Sequence, residues 1–178
     1  MQATEREFLL DYLRSNQDRL HALTAKLTPA KLNFRTEGHW SVADCVEHIT
    51  LVERQVFAMI VAALETAATP EQVALAQGKD KLILEGVPSR ERKVVAPEHL
   101  LPTGRWPDFA GSLRQFGAAR AASIHLAETT ELDLRAYVSR HFVIKEMDCY
   151  QWMLFLGSHA ERHLRQAEEV MADAEFPR

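Results

Sequence analysis

The segment His159-Ala160-Glu161-Arg162-His163 places two imidazoles four residues apart. On a helix they share one face and can converge on a single metal ion. The zinc-protease pattern His-Glu-x-x-His uses the same spacing but sets glutamate directly after the first histidine. Glu161 stands two residues on, about 200° around the helix, and points away from the pair, so the protease reading fails. A third imidazole, His48, lies beside the apolar positions Cys45, Val52 and Met59. Three imidazoles from two facing helices would form an open site with coordination positions left for water or substrate. The plainer alternative is a set of boundary histidines with satisfied hydrogen bonds, and periodicity alone does not require the two helices to face each other.

Other catalytic signatures are missing from the sequence. The seven glycines never cluster into a phosphate-cradling loop. There is no Gly-x-Ser-x-Gly elbow, and Cys45 and Cys149 are far apart with no CxxC, which excludes finger-type zinc. Both thiols read as small core-filling residues. Asp44, one turn before His48, reads as a capping or solvated carboxylate, with a role behind or at the metal as the alternative. Gln166, three residues after His163, reads equally as an exposed amide or as a partner of that imidazole. Trp40 is expected to pack the entrance to the second long helix. His21, His39, His99 and His125 have no spacing partners and read as surface or core residues.

The elements that must position these groups are helices. Leu9, Leu13, Leu20, Leu23 and Leu27, thickened by Phe8 and Tyr12, mark a first helix over about 5–27, with Thr4 as its cap. Ser41-Val42-Ala43-Asp44 carries capping chemistry for a second, over about 41–67. A third spans about 107–127 with Pro107 in its first turn. The fourth, about 148–174, buries Trp152, Met153, Leu156, Ala160, Leu164, Ala167 and Met171. Residues 68–106 hold four of the seven prolines and read as an ordered loop with a short helix at 71–77 behind Thr69 and Pro70. So long a connection lets helices two and three run parallel. Lys81–Leu84 and Lys93–Val95 are the only strand candidates. The expected fold is all-α: a four-helix bundle with a long crossover connection between helices two and three, one domain over 1–178.

Length and charge bound the function. A chain of 178 residues with 47% hydrophobic residues builds one ordinary core. Its net charge of −4 shows no footprint for a phosphate backbone, and the basic run Arg90-Glu91-Arg92-Lys93 is broken by an acid and reads as a solvated loop. No nucleic acid is expected as a partner. The charge-free run from Cys149 to Ala160 is too short to span a bilayer, so no membrane is expected either. Met-Gln-Ala-Thr-Glu-Arg-Glu lacks the apolar core of a secretion signal, and a cytoplasmic, reduced protein is expected.

Trp40-Ser41-Val42-Ala43-Asp44-Cys45-Val46-Glu47-His48 resembles the Trp-Ser-(x)6-His signature of DinB-like (DinB/YfiT) four-helix-bundle proteins. Tyr150-Gln151-Trp152-Met153-Leu154-Phe155, leading into His159-x-x-x-His163 and Leu164-Arg165-Gln166, is similar to the last helix of the branch called DinB-like domain 2. The likeness covers nearly the whole chain. It implies that His48, His159 and His163 bind a divalent metal, nickel or zinc. It implies a thiol-dependent S-transferase using a low-molecular-weight thiol, or else a metal-dependent hydrolase or a non-enzymatic metal-binding stress-response protein. A small-molecule substrate and a homodimer follow from the same likeness. One departure is His141-Phe142, where relatives often carry His-Pro.

Overall fold

A computed structural model describes residues 1–92 and 94–178. Six α-helices organise them: α1 (Ala3–Thr24), α2 (Pro29–Leu32), α3 (Val42–Ala63), α4 (Pro70–Ala76), α5 (Phe109–Thr129) and α6 (Cys149–Met171). The four long ones form the bundle. Helix α1 packs on α5 and α6, and α3 packs on the same two from the opposite side. Val42 shares a cluster with Ala167, while Val56 and Ile60 meet Trp152 and Met153, so α3 and α6 run antiparallel. Val46 and Ile49 meet Phe116 and Ile60 joins the cluster containing Ala127, so α3 and α5 run parallel. The long crossover therefore permits the parallel pair that its length implied.

Each helix begins where its side chains satisfy the free N–H groups of the first turn. Ser41 accepts from the Asp44 N–H at 3.1 Å and Asp44 accepts from the Ser41 N–H at 2.8 Å. Thr69 caps α4, with Pro70 first in the helix. Asp148 caps α6, accepting from Gln151 N at 2.7 Å. Two expected starts are corrected. Gln2, paired with Glu5, caps α1 in place of Thr4. Asp108 caps α5, which leaves Pro107 just outside the helix. These helices also end before the expected bounds of about 27, 67 and 174, at Thr24, Ala63 and Met171, and Phe8 lies 47% exposed on the outside of α1.

Neither strand expectation holds. Leu82–Gly86 is a single π-helical turn that buries Ile83. Of Lys93–Val95, Lys93 lies outside the described residues, and Val94 and Val95 have no regular structure. The hairpin that does form, β1 (Val138–His141) with β2 (Lys145–Asp148), leads directly into α6. His141 faces Lys145 across a three-residue loop, and Lys145 takes a left-handed φ of 70°. His141 Nδ1 accepts the N–H groups of Val143 and Ile144, both at 3.0 Å, and fixes that turn.

The bundle centre is polar at one level. Arg120 of α5 and Glu53 of α3 pair at 2.8 Å with side chains 0% and 1% exposed. Arg120 also donates to the Leu13 carbonyl at 3.0 Å, and Ser123 donates to Glu53 at 2.9 Å. This pair ties α1, α3 and α5 together at one height. Arg120 is a charged core residue that no apolar pattern flags. Where α1 meets α6, Gly157 gives the room: a Cβ there would lie 2.6 Å from the Tyr12 ring.

Candidate metal centre

His48 projects from α3 two turns beyond its cap residue Ser41, and His159 and His163 project from the antiparallel α6. One nitrogen from each imidazole lies within 4.8 Å of the other two. Ring centroids are 5.0 Å apart for His48 and His159, 4.7 Å for His48 and His163, and 4.5 Å for His159 and His163. The two helices do face each other. The three imidazoles meet.

Hydrogen bonds behind the rings decide which nitrogens face inward. His48 Nδ1 lies 2.8 Å from the carbonyl oxygen of Leu100. A carbonyl only accepts, so Nδ1 carries the hydrogen and Nε2 keeps a free lone pair. His163 Nδ1 lies 2.9 Å from Gln166 Oε1. Its Nε2 then meets His159 Nε2 at 3.2 Å. Two nitrogens this close need a proton or a cation between them. Ligands about 2.05 Å from a tetrahedral ion stand about 3.3 Å apart, so the spacing suits a metal. Among the described residues His159 has no other hydrogen bond, which leaves its tautomer free to follow whatever occupies the centre.

Burial sets the charge state. Loss of solvent pushes His48 below the ordinary imidazole range and pushes His159 and His163 well below it. Mutual repulsion among the rings, and Arg162 beside them, adds to the effect on His159 and His163. The rings are therefore neutral at pH 7, the form that donates a lone pair. Among the described residues no carboxylate or thiolate joins the group. Neutral nitrogen donors suit zinc, nickel and similar ions, whereas magnesium and calcium want oxygen.

Surrounding residues close the site on several sides. Trp40 stacks on His163 at 5.7 Å and tilts over His48 at 4.7 Å, so it covers the imidazoles in addition to preceding α3. Phe155 stacks on His159 at 5.5 Å. The crossover is strapped down over α6: Arg162 donates to the carbonyls of Val87, Ser89 and Arg92. Beside His48, the buried Glu47 carboxylate accepts the backbone N–H groups of Thr103 and Gly104, both at 2.9 Å. This anchors the stretch that carries the Leu100 carbonyl.

The remaining sequence candidates sort clearly. Asp44 is spent on the cap and on Arg35 at 3.1 Å, away from the imidazoles. Gln166 is a partner of His163, as one of its two readings held. His21, His39, His99 and His125 are exposed. Arg90 is not a solvated residue, because its guanidinium grips Glu169 at 2.9 Å and Gln166 at 3.3 Å. Lys93 of the same run lies outside the described residues. Cys45 and Cys149 are free and buried. Burial pushes the Cys149 thiol up to about 12 and that of Cys45 higher still. Sequence reasoning did not anticipate Leu100, whose carbonyl acts without any side-chain signature, or Arg90. No helix among the described residues is long and apolar enough to cross a membrane.

Comparison with known proteins places the chain by its sequence. The sequence profile of the DinB superfamily matches residues 12–167. The uncharacterized protein YuaE of Bacillus subtilis (strain 168) is 26% identical over 146 residues, covering 81% of this chain and 85% of that protein. No solved structure matches the chain significantly.

Proposed function

The chain belongs to the DinB superfamily, and on that premise we propose that it binds one divalent ion, nickel or zinc, and catalyses S-transfer from a low-molecular-weight thiol. His48, His159 and His163 hold the ion through Nε2. The observation that carries the reading is the pair of Nε2 atoms 3.2 Å apart, with the inward lone pair of His48 fixed by the Leu100 carbonyl. When bound, the ion supplies Lewis acidity that lowers the pKa of a thiol or water beside it.

The protein's own groups favour an anionic cosubstrate. Three neutral imidazoles cancel none of a divalent charge, and Arg162 and Arg90 add positive field at His163. The thiolate must come from outside the chain, since both cysteines are buried with raised pKa values. Trp40 and Phe155 exclude water from two sides, which favours transfer to a small electrophile over hydrolysis. A small-molecule substrate, a cytoplasmic location and a homodimer complete the proposal, the last checked by light scattering.

The test is elemental analysis of untagged protein, followed by a screen of thiols against small electrophiles with His163→Ala as the control. Thiol-dependent loss of electrophile that disappears in the variant supports transfer. Loss without thiol moves the reading to hydrolysis. Stoichiometric metal with neither activity moves it to a metal-binding protein without catalysis.

A further inference from the structure

Gln166 Oε1 sits between two groups, His163 Nδ1 at 2.9 Å and Arg90 Nη1 at 3.3 Å. An amide can turn over and exchange its oxygen for its NH2, so its contact with an imidazole does not by itself say which partner donates. Arg90 removes the ambiguity. A guanidinium has five N–H groups and no acceptor, so the amide atom facing it must be the oxygen. The same oxygen faces His163, whose Nδ1 must then carry the hydrogen. Arg90 is itself held, with Nε 3.2 Å from both Glu169 oxygens and Nη2 2.9 Å from one of them.

We propose that Gln166 and Arg90 are positioning residues that set the tautomer of His163. Through Arg90, the crossover segment selects which nitrogen of an α6 imidazole faces the centre. The consequence for metal rests on the proposed metal-binding role, but the tautomer itself does not. The crossover acts on both helices, because the Leu100 carbonyl imposes the same tautomer on His48. Without Gln166, His163 relaxes toward the Nε2–H form that imidazole prefers in water, and its inward lone pair is lost.

The experiment uses metal-stripped, full-length protein labelled with 15N-histidine. Long-range 1H–15N spectra distinguish the protonated from the bare ring nitrogen. Wild type and Gln166→Glu, which keeps the acceptor, should show His163 as Nδ1–H. Gln166→Leu should show mostly Nε2–H, and Arg90→Met a mixture. A wild-type His163 in the Nε2–H form, or a Gln166→Leu spectrum identical to wild type, overturns the proposal. Zinc affinity by chelator competition gives the second readout. Gln166→Leu should weaken binding by about 10–100-fold, with Gln166→Glu close to wild type. Equal affinity for wild type and Gln166→Leu would remove the positioning role. Expected tautomers in a wild type that binds no zinc would sink the metal reading and leave the tautomer assignment standing.

Discussion

His48 donates its Nδ1–H to the carbonyl oxygen of Leu100 across 52 residues of chain. The bond joins the ring of a helical side chain to the backbone of the crossover. It makes a loop that carries no ligand part of the site. Glu47, the neighbouring residue on α3, holds the next stretch of that loop by its backbone N–H groups. Orientation of the imidazole and placement of the loop are one structural event.

Loss of any one of His48, His159 or His163 to alanine should abolish stoichiometric metal while leaving helical content near wild type, since alanine is the best helix former. His99→Ala, which removes an exposed ring bonded to Gln55, should change nothing. Elemental analysis of the four variants decides it. Full occupancy in any of the three would show that the site lies elsewhere.

Arg120→Met should be severely destabilising, by about 3–5 kcal/mol, because it strands the Glu53 carboxylate in the core. Adding Glu53→Met should restore much of the loss. Arg120 Nε already lacks a partner among the described residues, so the ion pair is incompletely compensated and an apolar replacement competes well. Urea unfolding of the single and double variants gives the comparison, and additive losses would refute it.

Acid should weaken the hairpin through His141. Burial lowers its pKa to about 4, against an ordinary value near 6.5. Above 6.5 the group is neutral in both folded and unfolded chains and contributes no pH dependence. Below it the unfolded chain takes up a proton that the folded one refuses, so stability falls until pH reaches about 4 and then levels. In His141→Asn, Oδ1 can still accept from Val143 and Ile144 without titrating. Melting curves between pH 7 and 4 should fall less steeply for the variant. Parallel profiles would sink the idea.

Gly157→Ala should cost about 1–3 kcal/mol, because the new methyl would lie 2.6 Å from the Tyr12 ring and α1 must shift to admit it. Tyr12→Ala in the same background should relieve the clash. A double-mutant cycle in denaturant measures the coupling, and a coupling near zero would mean that the helices separate freely.

Much of this architecture is legible from residue type. Ser41, Thr69 and the residues after them announce helix starts through chemistry that every helix needs. The three imidazoles share a centre because their helical positions aim them inward and the long crossover fixes how the helices run. The hairpin was not legible: β1 and β2 are short and mixed in polarity, and the turn depends on His141 accepting two backbone N–H groups. The Leu82–Gly86 turn looked like a strand because Leu82, Ile83 and Leu84 form a short apolar run, which periodicity cannot assign. The Leu100 carbonyl and the grip of Arg90 on α6 were equally hidden. One is backbone, common to all residues, and the other joins partners 76 positions apart.

The parallel run of α3 and α5 also has a consequence for biosynthesis. His48 leaves the ribosome more than a hundred residues before His159. Until α6 is made, the growing chain offers one isolated imidazole from this set, and α3 waits without the antiparallel helix that completes its core. The full ligand set of the proposed ion would exist only once α6 has been made, so the site is assembled last, by the same helix that completes the core.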